Sequence, residues 1–359
     1  MKSTLLRAGL WTATCLAAVE VVRRATIHGI GLSPDSTVYI AAARRMLADV
    51  AIAPTLLGTG QGIGAASIGP GYPVALAAAS IVLQMDPMQA AWWLNLALLP
   101  VVLLLSGLLI GRAAPGARWA PWLGASALLV SWEFLEPFAM VWTEGLFLVL
   151  LVLSFWCLDR AVLDGRRRWL VALAFTTALL CLVRFSGVAM VGTAMAGLVV
   201  WGRGAAWRRA VTAGGLGILA LAPMLAWSAT APGFRRLAVH VPDAAWWMAG
   251  WRVVRSWVVP RSMPIVPPVR DALAAVILAG LVLVLSGALV RRWRGRRQAV
   301  DSRIPEAAAI HLVAYGALLW LSRAFWDGGV PLDPRMLLPV RVTSVLLVFI
   351  GVGRAPLPS

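Results

Sequence analysis

Long uninterrupted apolar stretches are the feature that most restricts how this chain can fold. Eleven of them recur along its 359 residues, and short arginine-bearing segments separate many of them. A helix needs about 20 apolar residues to cross a bilayer core, whereas a helix of a soluble domain carries only one apolar stripe. With 60% apolar and 13% charged residues, the composition predicts an all-α polytopic membrane protein with about 10 or 11 transmembrane helices.

We predict eleven candidate spans from run length and flanking charge. They lie near residues 5–22, 72–85, 90–111, 119–132, 141–158, 169–183, 187–201, 210–228, 272–290, 307–321 and 336–353. The first is predicted to be an uncleaved anchor, because Glu20, Arg23 and Arg24 stand where a signal peptide has its small-residue cleavage site. The weakest candidates are 72–85, which is short and opens with GPGY, and 119–132, which runs into two glutamates.

The basic segments predict the orientation of these spans. Short loops rich in Lys and Arg stay cytoplasmic, and the strongest clusters are RRR at 166–168 and RRWRGRR at 291–297. Lys2 and Arg7 place the amino terminus inside, and the clusters place the carboxyl terminus inside as well. We therefore expect an even number of crossings, so that one of the two weak candidates does not cross.

The remaining charges limit the class of ligand. The net charge of +17 does not indicate nucleic acid, because the arginines flank spans instead of covering a soluble domain. Only 18 of the 32 basic residues fall on the cytoplasmic side of the predicted topology. Outward arginines are explained by a phosphate-bearing ligand at the outer surface, or alternatively by snorkelling into lipid headgroups. The three cysteines lie in apolar runs without a CxxC pair, which argues against a disulfide scaffold or a metal site.

Residues 1–359 are predicted to form a single membrane domain without a separate soluble domain. Two outer loops, 23–71 and 229–270, are long enough to hold a site. In the first, PDSTVYIAAARRMLAD has apolar residues at helical spacing and predicts a short amphipathic helix on the membrane surface. The second interleaves tryptophans with arginines, which is typical of an interfacial belt; the alternative is a platform for a carbohydrate or lipid headgroup.

Four ionisable residues from distant stretches, Asp35, Glu144, Arg184 and Arg335, are predicted to reach the outer face. Ionisable groups in or beside spans are candidates for function because their burial is costly. The structural alternative for Asp35 is an N-cap of the amphipathic helix. For Glu144 it is a hydrated carboxylate at a helix N-terminus.

Five motifs, taken in order, resemble the integral-membrane glycosyltransferases of the GT-C superfamily. This group includes protein O-mannosyltransferases and lipid A aminoarabinose transferases. The motifs are PDSTVYIAAARRML, GPGYPVALAA, TEGLFLVLLVL, LVRFSG and DPRMLLPV. Asp35, Ser36 and Tyr39 match the acidic motif of the first outer loop in that family. Gly69, Pro70, Gly71, Tyr72 and Pro73 match its PPGYP-like entry to the second segment, Glu144 matches a second acidic position, and Arg184 to Gly187 match an Arg-aromatic-small-Gly stretch.

The resemblance implies an enzyme of the cell envelope, multi-pass in the cytoplasmic (inner) membrane, and the richness in arginine, alanine and glycine predicts a bacterial source. It would transfer a sugar with inversion from a polyprenyl-phosphate donor to an unknown acceptor on the outer face. Asp35 is the implied general base, and Glu144 the second catalytic carboxylate. Tyr39, Arg44, Arg45, Tyr72, Arg184 and Arg335 are the implied substrate-binding residues, with the arginines neutralising the leaving phosphate. No cofactor is implied, and a divalent metal stays open.

The chain departs from the pattern of this family in two respects, and two other classes of function stay open. Many family members carry a soluble carboxyl-terminal domain, which we do not expect here, and Asp35 lacks the acidic neighbour of some members. The base therefore works alone, or this copy is inactive. The alternatives are a polytopic transporter or lipid flippase, in which intramembrane charges couple to substrate, and a noncatalytic subunit of an envelope-assembly complex.

Overall fold

A computed structural model describes residues 2–48, 69–229, 239–259, 263–294, 302–326 and 329–354. Within these ranges the chain is helical or irregular, apart from one isolated backbone bridge. Five of the helices are long and apolar enough to cross a membrane. The prediction of an all-α polytopic membrane protein is therefore confirmed.

The described residues form fourteen α-helices. In chain order, α1 to α14 are Lys2–Ala25, Pro34–Ala48, Gly71–Leu83, Pro87–Ala113, Ala120–Leu128, Trp132–Ala139, Glu144–Asp164, Arg167–Val183, Val188–Trp201, Ala206–Ala229, Ala244–Val258, Pro267–Arg294, Ile304–Leu321 and Pro334–Gly353. A 3₁₀ turn, Phe185–Gly187, joins α8 to α9, and a π-helical turn, Ser322–Trp326, follows α13.

Every predicted span overlaps a helix, but the helices differ in length, and the span predicted at 119–132 is interrupted at residues 129–131, between α5 and α6. The five that qualify as candidate spans are Pro87–Ala113, Glu144–Asp164, Ala206–Ala229, Ile304–Trp326 and Pro334–Gly353. The two weak candidates are short: α3 has 13 residues and α5 has 9. At about 1.5 Å per residue, they measure roughly 20 and 14 Å, less than the roughly 30 Å of a bilayer core. Which helices cross stays a prediction.

The chain divides into two compact units. Unit 1 comprises Met1–Leu105 and Leu135–Arg235, and unit 2 comprises Ser106–Phe134 and Arg236–Ser359. In unit 1, α7 packs on α8, α10 packs on α8 and α9, and α2 packs on α3. In unit 2, α14 packs on α5 and α13, and α11 packs on α12. Seven of the eight predicted site residues, including both carboxylates, belong to unit 1, and Arg335 belongs to unit 2.

The amphipathic helix of the first predicted outer loop is α2. Its apolar side, with Tyr39, Ala43 and Met46, is buried in a cluster that includes Tyr72 and Leu76 of α3. The apolar side therefore contacts protein, although we expected the helix to lie on the membrane surface. The glycine-rich continuation of this loop, residues 49–68, lies outside the described residues.

The tryptophans of the second predicted outer loop differ in their surroundings within unit 2. The indole N–H of Trp246 donates to the carbonyl of Val330 at 2.9 Å, and that of Trp251 donates to Asp271 at 2.8 Å. Trp247, in contrast, is 55% exposed. Two of these side chains thus hold elements of unit 2 together, and their polar edges are already engaged by protein.

Candidate active site

A short backbone bridge holds the segment before α2 against the segment before α7. The N–H of Gly31 donates to the carbonyl of Ala139 at 2.8 Å, and the N–H of Val141 donates to the carbonyl of Gly31 at 3.0 Å. A Cβ at Gly31 would lie 2.0 Å from the sulfur of Met140, so glycine allows this close approach. We call this contact the 31–140 bridge; it brings the beginning of α2 close to the beginning of α7.

Side chains reinforce the bridge at the N-terminus of α2. The hydroxyl of Ser36 donates to the carbonyl of Val141 at 2.9 Å, and the indole N–H of Trp142 donates to the hydroxyl of Ser33 at 2.8 Å. Both bonds connect the first turn of α2 to the residues directly before Glu144. The orientation of this turn is therefore fixed relative to α7.

Ser33, not Asp35, occupies the cap position of α2. Its hydroxyl accepts from the N–H of Ser36 at 3.3 Å, while the hydroxyl of Ser36 accepts from the N–H of Ser33 at 2.9 Å. This reciprocal pair has the geometry of a capping box, with serine at the third helical position. The N-cap alternative for Asp35 is thus wrong, because Asp35 follows Pro34 inside the first turn. Its carboxylate is exposed.

Two tyrosines connect α2 to α3. The rings of Tyr39 and Tyr72 pack edge to face, with centroids 5.3 Å apart. Tyr72 is fully buried, and its hydroxyl has no hydrogen-bond partner among the described residues. It lies near enough to Tyr39 and Glu144 to interact electrostatically with both. A buried phenol without a partner is costly, so this hydroxyl is a candidate contact for a bound molecule.

The GPGY motif serves a packing role at the start of α3. A Cβ at Gly69 would lie 2.1 Å from the carbonyl oxygen of Leu182, and a Cβ at Gly71 would lie 2.9 Å from the backbone of Leu182 and Val183. Only glycine permits such a close approach between the two backbones. The motif therefore holds Tyr72 against the end of α8, directly beside Arg184.

Arg184 lies in a break between α8 and α9. Its backbone is extended, with φ −149° and ψ 136°, and the 3₁₀ turn of LVRFSG follows it. Gly187 closes this turn, since a Cβ there would lie 2.7 Å from the backbone of Leu180 and Cys181. The break directs the arginine side chain towards α7 instead of along the helix.

Arg184 and Glu144 form a buried ion pair. The Nη1 of Arg184 donates to Oε1 of Glu144 at 2.5 Å and to the hydroxyl of Thr143 at 3.2 Å. Glu144 is 2% exposed, and the arginine side chain is 13% exposed. The hydrated alternative for Glu144 is therefore wrong, because its first-turn carboxylate is covered by protein. The Phe147 ring, with its centroid 6.0 Å from Cζ of Arg184, adds a cation–π contact.

Arg44 and Arg45 lie farther along α2. Arg44 forms a bidentate ion pair with Asp86, through Nε at 2.8 Å and Nη2 at 3.0 Å. Asp86 follows the end of α3, whereas Tyr72 lies at its beginning. The hydrogen bond from Arg44 lowers the pKa of the Asp86 carboxyl below its usual range. Arg45 is exposed on the same turn, so neither arginine joins the contacts of Glu144 and Arg184 described above.

Arg335 is the predicted site residue that belongs to unit 2. It stands in the first turn of α14, whose N-cap is Asp333, a carboxylate that accepts from the N–H of Met336 at 2.8 Å. The first two residues of the DPR motif thus begin a helix, since Asp333 caps α14 and Pro334 is its first residue. A cation at a helix N-terminus is electrostatically unfavourable, and the Asp333 carboxylate offsets this.

The described residues contain no group of three or more His, Cys, Asp or Glu side chains that could hold a metal ion. The chemistry available at Asp35, Glu144 and Arg184 is therefore that of carboxylates and a guanidinium. The Asp35 carboxylate is exposed, whereas the Glu144 carboxylate is buried and paired with Arg184.

Sequence reasoning missed three residues that build this site: Ser33, Trp142 and Thr143. Thr143 gave a usable signal, since a threonine directly before an apolar helical run is typical of a helix start. Ser33 gave the same signal before α2. Trp142 gave no signal, because a tryptophan at the end of a span is typical of an interfacial belt and does not by itself indicate a site.

Comparison with known proteins gives a structural likeness alone. No family model matches the chain, and no curated protein matches it. Among solved structures, the chain is similar to ArnT from Cupriavidus metallidurans in the apo state, with a TM-score of 0.40 and 17% sequence identity. The alignment covers 97% of this chain and 78% of that one. A likeness of this size carries no argument about activity, so the site is interpreted from its own geometry.

Proposed function

We propose that this protein is a membrane glycosyltransferase. It transfers a sugar from a polyprenyl-phosphate donor to an acceptor on the outer face of the cytoplasmic membrane, with inversion at the anomeric carbon. The donor class and the outer face come from the motif resemblance and the predicted topology. The site geometry supports the choice of residues.

The 31–140 bridge is the observation that carries the proposal. Ser36, the neighbour of Asp35, binds the carbonyl of Val141, three residues before Glu144. Since successive Cα atoms are about 3.8 Å apart, this hydrogen bond keeps the Cα atoms of Asp35 and Glu144 within roughly 25 Å of each other. Residues separated by more than a hundred positions in sequence thus share one region of unit 1, which also contains Tyr72 and Arg184.

Asp35 is the proposed general base. Its exposed carboxylate takes the proton of an acceptor hydroxyl while the oxygen attacks the anomeric carbon. The bond from that carbon to the phosphate oxygen breaks, and the electron pair leaves with polyprenyl phosphate. The proposed acceptor therefore approaches from the exposed side of α2.

Glu144 and Arg184 are proposed to act as a pair. The carboxylate of Glu144 is buried and its Oε1 is engaged by Arg184, so we do not assign it the role of general base. Its role is to orient the guanidinium, which has five N–H donors and favours negative charge developing on the leaving phosphate. Arg335 belongs to unit 2 and stays a predicted substrate-binding residue, as does the exposed Arg45. We propose no contact with the phosphate for Arg44, because it is engaged by Asp86.

The proposal is tested by release of free polyprenyl phosphate. Detergent-purified protein is incubated with a panel of polyprenyl-phosphate sugars and a membrane extract as acceptor source. Wild type is compared with Asp35→Asn, which keeps the size of the side chain and removes the proton acceptor. Because a general base contributes about 10² to 10⁴ in rate, we expect release by the variant to fall by at least about 100-fold.

Asp86→Asn is the matched control. It makes the same chemical change at an exposed aspartate of unit 1 that binds Arg44 away from the site. We expect it to retain the wild-type rate, with the thermal midpoint of each variant within about 4 °C of that of wild type, the shift that about 1 kcal/mol produces. Equal activity of Asp35→Asn and wild type, or an equal loss in the two variants, would contradict the role of Asp35. No release from any intact donor would favour a transporter or subunit.

A further inference from the structure

The hairpin between α7 and α8 lines an open cavity that the candidate active site does not use. Its volume is about 380 Å³, and its lining residues are Arg160, Asp164, Arg166, Arg168 and Trp169. Arg160 follows Glu144 by 16 positions on α7, which corresponds to roughly 24 Å at 1.5 Å per residue. The cavity and the ion pair of Glu144 and Arg184 therefore lie towards opposite ends of one candidate span.

The cavity carries an excess of positive charge. Three guanidinium groups line it with a single carboxylate, that of Asp164, which lies 3.5 Å from Nη1 of Arg160. Among the described residues, no carboxylate forms a salt bridge with Arg166 or Arg168. Like charges held close together repel unless an anion is shared between them. This arrangement indicates a negatively charged ligand.

Aromatic rings hold the guanidinium groups in place. Cζ of Arg168 lies 5.2 Å and Cζ of Arg160 lies 6.0 Å from the ring centroid of Trp169. Arg160 also lies 5.2 Å from the ring of Trp156. Such cation–π contacts restrict the side chains without consuming their hydrogen-bond donors. Arg160 and Arg168 are thus restricted in position without a ligand.

Two buried donors in the cavity lining have no acceptor within the described part of the chain. They are the indole N–H of Trp169 and the Nε–H of Arg160. Buried donors are normally satisfied, and an exception needs an explanation. A bound anion with several acceptor oxygens would supply both partners.

We propose that this cavity binds the phosphate group of an anionic phospholipid headgroup. It lies where an apolar helix ends, and tryptophans beside arginines are typical of the depth of the headgroups. Basic pockets at such positions bind anionic lipids. The proposed site is independent of the transferase activity, since none of its residues has a role in the chemistry.

The test measures lipid retention on the purified full chain by native mass spectrometry, with phosphatidylglycerol and phosphatidylcholine as probes. We expect wild type to retain phosphatidylglycerol preferentially. Arg168→Gln should weaken its binding about five-fold, the contribution of one arginine near an anionic headgroup. Trp169→Phe, which keeps the ring and removes the N–H, should also weaken it.

Arg118→Gln is the matched control, since it removes one exposed arginine outside the cavity. It should bind phosphatidylglycerol as wild type does. If Arg168→Gln fails to fold, judged by its thermal midpoint, Arg166→Gln replaces it. Equal retention of the two lipids, or an equal loss in Arg118→Gln, would overturn the proposal. Inorganic phosphate that displaces phosphatidylglycerol at millimolar concentration would also overturn it, in favour of a soluble anion.

Discussion

The buried ion pair between Glu144 and Arg184 yields a quantitative prediction about stability. Substituting Arg184→Met keeps a long side chain but leaves the carboxylate of Glu144, which is 2% exposed, without its cation. Breaking a buried pair in this way costs about 3 to 5 kcal/mol. Replacing both partners removes the uncompensated charge, so Glu144→Met combined with Arg184→Met should lose less than the two single substitutions together.

This cost should be visible in the thermal midpoint. Unit 1 contains about 200 residues, and for domains of that size 1 kcal/mol shifts the midpoint by about 2 to 4 °C. We therefore expect Arg184→Met to lower the midpoint by about 6 to 20 °C. The assay is intrinsic fluorescence during heating of the detergent-purified protein, whose 19 tryptophans give a strong signal.

Arg45→Met is the control for loss of an arginine, because Arg45 is exposed on α2 of the same unit. A surface substitution of this kind is expected to stay within about 0.5 kcal/mol, or about 2 °C. If Arg184→Met also stays within about 2 °C, the pair does not stabilise unit 1. Strict additivity in the double variant would show that the two residues are not coupled.

Two smaller predictions concern the surroundings of the site. Gly69→Ala should lower the thermal midpoint by the equivalent of about 1 to 3 kcal/mol, because the new Cβ would lie 2.1 Å from the carbonyl oxygen of Leu182. Gly192→Ala is the control: a Cβ there would have nothing within 4 Å, so the midpoint should stay unchanged or rise. An equal loss in both variants would refute the packing role of Gly69. Because Arg44 lowers the pKa of Asp86, the pair stabilises the fold above the unfolded pKa of about 3.9, and this contribution is lost as the pH falls through the lower folded pKa. Asp86→Asn should therefore cost less than about 1 kcal/mol at pH 7 and nothing at pH 2, as measured by midpoints at both pH values; a difference that persists at pH 2 would contradict the ionic origin.

The helices could be predicted from the sequence, because long apolar runs in a bilayer must satisfy their backbone bonds as helices. All eleven predicted spans overlap helices for this reason. The apolar runs also indicated that α3 and α5 are short, because the predicted spans that contain them, 72–85 and 119–132, were the two weakest candidates. The division into two units had no signal in the apolar pattern, which is similar in both.

The site was predictable only in part. Chemical type selected Asp35, Glu144 and Arg184 as candidates, because charges beside spans are costly. Their local environment was not predictable, since the sequence does not show which residue takes the cap before α2 or which carboxylate becomes covered. The pairing of Arg44 with Asp86 joins positions 42 residues apart, and no local pattern encodes such a contact.

The 31–140 bridge also affects how this site can vary among related chains. Its hydrogen bonds join main-chain N–H and C=O groups, and every residue type except proline has both groups. The residues at positions 139 and 141 can therefore be replaced while the bridge persists. An inserted or deleted residue is different, because it would shift the register and move the Asp35 turn relative to Glu144. In a library of variants, positions 139 and 141 should tolerate substitutions, Gly31 should not, and changes of length should be rejected throughout the junction.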